Sequence, residues 1–224
     1  MNTYSPTESI RFGWETFKRR PFFILVVHML SMSISQLVIL PMQFTMFLVL
    51  LLGALLKFPE VLIGFFIGVV GFVSFVAVMA LSFLLQIGEM NIFLHAKSRL
   101  DSLRIEDMWV PRYFWKYLGT VLLSSVCTFF GFLLFVIPGI ILMTGWIFAV
   151  FLVIDRDLRP VAALRESWRI TRGNKWRVFL LLLLILLINL LGALCFFVGL
   201  FVTTPVSILA MAHAYRTLEA KTTS

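Results

Sequence analysis

The segment IDRDLRPVAALRESWRITRGNKWR, residues 154–177, lies between two long apolar runs and decides the fold of this chain. It carries seven Lys and Arg side chains against three carboxylates. So many charges are too costly to bury in hydrocarbon or in an apolar core. We therefore expect the segment to lie at a membrane surface, and the other elements are positioned relative to it.

The composition predicts a membrane protein. The chain has 224 residues, of which 61% are hydrophobic and 13% are charged, whereas soluble domains average roughly 45–50% and ~25%. Several apolar runs exceed the ~18–20 residues that cross a ~30 Å hydrocarbon layer. The expected fold is all-α and polytopic, with one integral membrane domain over residues 1–224. The net charge of +8 lies beside the apolar runs, so we expect anionic headgroups and no nucleic acid as partners.

The distribution of basic residues predicts the topology. Residues 22–56 are too numerous for one straight crossing at ~1.5 Å per residue, and Pro41 is expected to kink them. If they form one span, the chain has six spans, and 18 of its 19 Lys and Arg residues, all but Lys57, share the side of the N-terminus. If 22–40 and 42–56 are separate spans, later basic loops move across. The positive-inside rule favours six spans with both termini cytoplasmic.

The six spans are expected to pair into three hairpins, each preceded by a short amphipathic surface helix. The units cover about residues 5–95, 96–155 and 156–219. The surface helices are predicted at 5–19, at 102–109 and within 154–177. The spans are predicted at about 22–56, 61–94, 117–136, 140–154, 176–199 and 203–218. The hairpins are predicted to turn at 57–60, 137–139 and 203–205.

An internal match supports this division. PTESIRFGW at residues 6–14 and PVAALRESW at residues 160–168 share a proline, an aliphatic residue, an arginine, a small residue and a tryptophan in register. Internal repeats are common in membrane folds. The alternative is that both segments independently use residues favoured at membrane entry.

The first surface helix has its own start signal. Ser5 and Glu8 fit a capping box, and Ile10, Trp14 and Phe17 share one helical face. That pattern is typical of a helix lying in the headgroup plane.

A strip of small residues marks the second predicted span. Gly64, Gly68 and Gly71 lie at near-helical spacing, and we expect a neighbouring helix to approach there.

The basic collar is the first candidate site. Arg165, Arg169 and Arg172 follow i, i+4, i+7 spacing, and guanidinium groups suit phosphate. The collar predicted to contact lipid headgroups or a partner protein comprises Arg11, Trp14, Arg165, Trp168, Arg169, Arg172, Lys175 and Arg177. The alternative is that these cations only anchor the topology. The predicted function is that of a non-enzymatic inner-membrane protein, with a partner membrane protein or homo-oligomer also possible.

A polar pocket near Glu89 is the second candidate site. Gln86 and Glu89 share a helical face, and Gln36 and Asn189 are the other polar residues proposed for it. A carboxylate within a span suggests a site, and such a pocket would suit a small transporter or channel subunit. The favoured alternative is that Glu89 has left the hydrocarbon, hydrated or paired with an arginine. Gln36 and Asn189 would then serve hydrogen bonding between helices.

The sequence predicts no catalytic or metal site. It has no HExxH, GxSxG or P-loop motif, and His28, His95 and His213 lie far apart without partners at helical spacing. Both cysteines fall within apolar runs. No enzyme activity, metal or cofactor is expected.

The C-terminal half resembles a known group of proteins. The residues concerned are PGI at 138–140, ALRESW and TRGN within 163–174, Pro205 and Tyr215. They are similar to those of bacterial integral membrane proteins that include the UPF0259 (YciC-like) proteins, the DUF975 proteins and the membrane domain beside some glycerophosphodiester phosphodiesterases. The resemblance covers about 130–218 and implies a six-span inner-membrane protein. The sequence contains no phosphodiesterase domain, so that activity is not implied.

Overall fold

A computed structural model describes residues 4–56, 59–99, 102–195 and 198–223 of the chain. Side chains are described in these ranges except at 33–39, 41–42, 56, 60, 99 and 223. Every regular element in the described ranges is helical, so the predicted all-α class is confirmed.

The described residues form nine α-helices with short 3-10 helices between the third and the fourth. The α-helices are α1 (Pro6–Arg19), α2 (Pro21–Leu56), α3 (Glu60–Arg99), α4 (Phe114–Leu134), α5 (Val136–Trp146), α6 (Ala149–Arg156), α7 (Pro160–Thr171), α8 (Lys175–Leu194) and α9 (Leu200–Thr223). The 3-10 helices are Ile105–Met108 and Pro111–Tyr113.

Four stretches of the described chain are long and apolar enough to cross a membrane. They are Val61–Ser98, Ile105–Leu134, Val136–Arg156 and Lys175–Leu194. Shorter apolar stretches, Pro21–Met32 and Gln43–Leu55, lie within α2. Several large apolar side chains on these stretches are exposed, such as Phe72 at 70% and Leu186 at 62%, as expected of surfaces that face lipid.

The first hairpin is longer than the others. Residues 21–56 form one continuous helix through position 41, so they are not two separate helices. The 36 residues of α2 extend over roughly 54 Å, whereas the 20 residues of α8 cover roughly 30 Å. The predicted turn at 57–60 lies partly outside the described residues; within it, Pro59 O accepts a hydrogen bond from Leu62 N (2.9 Å) at the start of α3.

Two predicted turns and one predicted helix are corrected by the structure. The second hairpin turns at Phe135, whose backbone is extended (φ −160°, ψ 152°), and not at 137–139. Pro138 is instead in the first turn of α5, where a missing N–H has no helical partner to lose. Pro205 lies inside α9, which already begins at Leu200. The helix predicted at 102–109 is the 3-10 helix Ile105–Met108.

The start of α1 is as predicted, but its capping box is absent. Ser5 has extended backbone at the N-cap and Pro6 opens the helix. Ser5 Oγ bonds the Thr7 hydroxyl (2.8 Å) and makes no cap hydrogen bond. The helix buries Ser9, Gly13, Thr16 and Phe17, so small and polar residues form much of the packed face.

Three surface elements dock in the same way. The 3-10 helix Ile105–Met108 packs on α3, α7 packs on α5 and α6, and α1 packs on α9. The 3-10 helix and α7 therefore each cover the second half of the hairpin that precedes them in the chain. The helix α1 covers the second half of the last hairpin. At each contact a glycine leaves no room for a Cβ atom. The pairs are Gly88 with Met108, Gly145 with Trp168, and Gly13 with Val206.

The core surrounds α6. Phe151, Leu152 and Val153 of this helix are completely buried. The Tyr215 ring of α9 stacks on Phe151 (5.7 Å between centroids) and is also fully buried. Because α6 leads directly into the basic segment, this core fixes the base of α7.

Candidate functional site

The helix α7 presents the basic segment on a firmly anchored frame. Pro160 is its first residue, and Arg172 follows it as the C-cap. Ser167 is completely buried; its Oγ donates to Gly145 O (2.9 Å) and accepts from Phe148 N (3.2 Å). These bonds satisfy backbone groups at the break between α5 and α6, so they hold α7 against that break.

The predicted arginine stripe is interrupted. Arg169 Nε and Nη2 donate to the two Glu166 carboxylate oxygens at 2.8 and 2.6 Å. This pairing, with hydrogen bonding as its largest contribution, lowers the pKa of Glu166 and offsets the Arg169 charge. Arg172 lies beyond the last helical residue, so the i+7 relation does not hold in space. Within the described residues, neither Arg165 nor Arg172 has a carboxylate partner.

Trp168 connects Arg165 to the start of α8. Lys175 Nζ lies 2.9 Å from the centroid of a Trp168 ring, a cation–π contact. The Trp168 ring also lies near Trp146, with 6.3 Å between ring centroids. Arg177 Nη1 donates to Asn174 Oδ1 (3.4 Å). The structure thus brings Arg165, Trp168 and Lys175 together.

An apolar groove opens beside Arg165. It has a volume of about 400 Å³ and runs between α4, α5 and α7. Its walls include Leu123, Cys127, Leu142 and Trp146, with Arg165 and Trp168 at the end formed by α7. The groove was not foreseen from the sequence, because its walls come from three separate segments.

The two collar residues of α1 contact groups on their own helix. Arg11 Nε donates to Glu15 Oε1 (2.8 Å), and this hydrogen bond lowers the pKa of Glu15. Trp14 is 44% exposed and stacks on Phe17, while Lys18 lies over its ring. These groups therefore form an exposed patch on α1, whose main packing partner is α9.

Glu89 is buried and bonded to α2. Its exposed fraction is 5%, Oε1 lies 2.6 Å from His28 Nδ1, and Oε2 accepts from Ser31 Oγ at 2.9 Å. Among the described residues, the partners of Glu89 are thus a histidine and a serine of α2, and none is an arginine. We name Glu89, His28 and Ser31 the Glu89 cluster.

Two other residues of the predicted polar pocket, Gln86 and Asn189, make hydrogen bonds away from Glu89. Gln86 is exposed and accepts a hydrogen bond from Tyr117 Oη (3.3 Å). Asn189 Nδ2 donates to Ser207 Oγ and Asn189 Oδ1 accepts from Thr203 Oγ1, both at 2.9 Å. The Gln36 side chain lies outside the described residues. The structure does not bring Gln86 or Asn189 to Glu89.

A second charged cluster joins α6 to α9. Arg216 Nη1 and Nη2 donate to the two Asp155 carboxylate oxygens, each at 2.7 Å. The Tyr215 hydroxyl lies 2.8 Å from Asp155 Oδ2 and 2.9 Å from Glu219 Oε1. We name these four residues the Asp155 cluster. Sequence analysis missed it because its members lie about sixty positions apart and share no local motif.

The described residues place no three His, Cys, Asp or Glu side chains where they could hold one metal ion. Both cysteines are free thiols.

Comparison with known proteins gives distant relatives. No family model and no solved structure matches the chain. The chain is similar to Uncharacterized protein Rv2560 of Mycobacterium tuberculosis and Uncharacterized protein Mb2590 of Mycobacterium bovis, each 32% identical over 152 residues. The match covers 68% of this chain and 46% of each relative. The chain therefore matches less than half the length of these curated relatives, and their names give no activity.

Proposed function

We propose that this chain is a non-enzymatic, six-span protein of a bacterial cytoplasmic membrane, with both termini in the cytoplasm. Its cytoplasmic basic collar engages anionic lipid headgroups. One observation carries the proposal: Arg165 lies without a described carboxylate partner beside Trp168, whose ring holds Lys175. Unpaired cations beside interfacial aromatic rings favour an anionic membrane surface.

The six-span topology is supported by the distribution of the basic residues and by the continuity of α2 through position 41. Under this arrangement the end of α1 at Arg19 and the end of α3 at Arg99 lie on the same side of the membrane as α7. Cysteine labelling tests it, with Cys127 and Cys195 first replaced by serine. Arg172→Cys should react with a membrane-impermeant maleimide only after the inner face is exposed, whereas Phe135→Cys at the opposite turn should react from outside. Labelling of Arg172→Cys in intact cells would overturn the topology.

Lipid preference tests the function directly. In vesicles, spin-labelled phosphatidylglycerol should associate with the protein more strongly than spin-labelled phosphatidylcholine, measured by electron paramagnetic resonance. Replacing Arg165 and Arg172 together by glutamine should reduce that preference, since each cation near an anionic surface contributes ~1 kcal/mol. Arg169→Gln is the control and should have less effect, because Glu166 already offsets its charge. Equal association of both lipids with the wild type would overturn the proposal.

The same cations would also suit an acidic partner protein or a second copy of the chain. A protein bound to these cations would compete with anionic lipid, so the lipid association would fall as more of the cations are covered. Measuring the size of the protein in detergent at low and high salt shows whether such a protein is bound.

Transport is a second candidate function, favoured by the burial of Glu89 and His28 between two apolar helices. Ionisable groups within a membrane protein often serve ion or substrate pathways. None of the cavities at α4–α6, at the α3–α9 ends, at α4–α7 or at the 3-10 helices is lined by either residue. A proteoliposome with an interior pH dye tests it: proton entry should depend on Glu89 and fall in Glu89→Gln. Equal rates in wild type and variant would remove this candidate.

A further inference from the structure

We propose that the groove between α4, α5 and α7 binds one anionic phospholipid, with an acyl chain against the apolar wall and the phosphate at Arg165 and Lys175. This inference rests on the proposed function and deepens it. It assigns a single built site, whereas the proposed function requires only a surface that attracts anionic headgroups.

The size and lining of the groove fit a hydrocarbon chain. Its volume of about 400 Å³ lies within the ~300–1,000 Å³ of small-molecule sites. Leu123 and Cys127 are four residues apart and so follow one line along α4, facing Leu142 of α5. An apolar wall that runs along two helices suits a chain lying parallel to them, and free phosphate would leave it uncovered.

The end of the groove at α7 is fixed before any ligand arrives. Trp168 lies directly against Gly145, where a Cβ would overlap its ring. The hydroxyls of Ser167 and Thr171 bond Gly145 O on either side of that contact. Because the indole is already held by its surroundings, little conformational freedom is lost on binding.

Charge at this end selects an anion. The neighbouring carboxylate, Glu166, is occupied by Arg169 and lies 3.4 Å from Arg156 Nη1. Arg165 therefore keeps its donors, and Lys175 Nζ lies over the ring of Trp168, which lines the groove beside Arg165. Guanidinium and ammonium groups together suit a phosphodiester. A phosphatidylcholine of the same chain length adds a cationic group that this arrangement would oppose.

Native mass spectrometry of the detergent-solubilised protein tests the site. Titration with a short-chain phosphatidylglycerol should give a one-to-one adduct before further binding. Phosphatidylcholine and diacylglycerol with the same chains, and glycerol phosphate without chains, should each bind more weakly. Arg165→Gln should weaken the first adduct about tenfold, as expected for loss of a charged hydrogen-bond donor. Arg172→Gln removes the same charge at a residue that does not line the groove and should weaken the first adduct clearly less than Arg165→Gln does.

A second pair of variants tests the apolar wall. Leu123→Trp should fill the groove and abolish the first adduct. Leu122→Trp makes the same change at the adjacent position, which is 63% exposed and does not line the groove, and should leave it intact. A diazirine at the chain end of the phosphatidylglycerol should cross-link to peptides of α4 or α5 in the wild type and in Leu122→Trp only.

Equal weakening by Arg165→Gln and Arg172→Gln, equal effects of the two tryptophans, or cross-links spread over all helices would each overturn the site. If these results come with a retained preference for spin-labelled phosphatidylglycerol, the site fails while the proposed function stands. If that preference is absent as well, both fail.

Discussion

The Glu89 cluster and the Asp155 cluster each join residues 61 positions apart, yet they connect different parts of the molecule. Glu89 and His28 hold together the two helices of one hairpin. Asp155 and Arg216 hold together helices of two different hairpins, α6 and α9. The first interaction can re-form whenever that hairpin forms, whereas the second depends on the assembly of the whole bundle.

The chemistry of the two clusters also differs. A histidine side chain has a neutral form available near physiological pH. Arginine keeps its charge in proteins, and the Arg216 side chain is only 29% exposed. Replacing the carboxylate should therefore lower the free energy of unfolding more in the Asp155 cluster than in the Glu89 cluster, although the Glu89 cluster is more deeply buried.

The largest effect is expected for Asp155→Asn. It removes the charge that faces both Arg216 nitrogens and should lower the free energy of unfolding by about 2–4 kcal/mol, towards the lower part of the range for broken buried pairs, because Glu219 Oε2 remains 3.3 Å from Arg216. Thermal unfolding in detergent measures it. Asp157→Asn is the control: Asp157 is 61% exposed, and asparagine tolerates its positive φ of 54°. Equal losses in the two variants would contradict this interpretation of the cluster.

A smaller effect is expected at Gly88, the residue before Glu89. A Cβ there would overlap the Met108 backbone, so Gly88→Ala should cost about 1–3 kcal/mol through overpacking. Gly68→Ala on the same helix is the matched control, because nothing lies within 4 Å of its added Cβ. Alanine there should be neutral or stabilise by up to ~1 kcal/mol through helix propensity. If Gly68→Ala also destabilised the protein or split an oligomer, the small-residue strip would have a partner outside this chain.

Glu89→Gln should lower the free energy of unfolding by a smaller amount, about 1–2 kcal/mol, because the glutamine side chain can still accept the hydrogen bond from Ser31 Oγ. Glu106→Gln is the control, since Glu106 is exposed. The same thermal unfolding assay compares them. A loss in Glu89→Gln larger than that in Asp155→Asn would reverse the ranking of the two clusters.

Much of the fold could be predicted because local chemistry determines where helices begin. The helix α1 begins after Ser5 as predicted, and α7 begins at Pro160, the residue that matches Pro6 in the internal repeat. Residues 21–56 form one helix. The predicted turns at 137–139 and 203–205 were wrong because proline was taken as a turn residue. Pro138 lies in the first turn of α5, where a helix accepts proline, and Pro205 lies inside α9. Phe135, the actual turn, is an apolar residue in an apolar run and gives no signal. The six spans and the three units stay predictions.

The candidate site was predictable only where its residues are close in sequence. Arg165, Trp168 and Lys175 belong to one segment, and the structure brings them together. His28 was missed because helical spacing compares residues within a single helix. A signal was present in the sequence: His28 and Glu89 both lie about 30 positions from the middle of the predicted turn at 57–60, and antiparallel helices with equal rise place such residues level. No such rule connects Asp155 with Arg216.

The smallest effect is expected at Asn189, a third link between helices and one without charge. Asn189→Leu removes its bonds to Thr203 and Ser207, and such bonds in membrane proteins average ~0.6 kcal/mol, with a maximum near ~1.7. The lower value is expected because Ser207 Oγ keeps its bond to Thr203 O (2.7 Å). Ser124→Ala is the control, because the Ser124 hydroxyl bonds Val121 O of its own helix (3.0 Å). Thermal unfolding should separate the variants only slightly. If Asn189→Leu lowered the free energy of unfolding as much as Asp155→Asn does, neutral hydrogen bonds would hold α8 and α9 together as strongly as charged groups hold α6 and α9. The distinction between charged and neutral contacts would then fail.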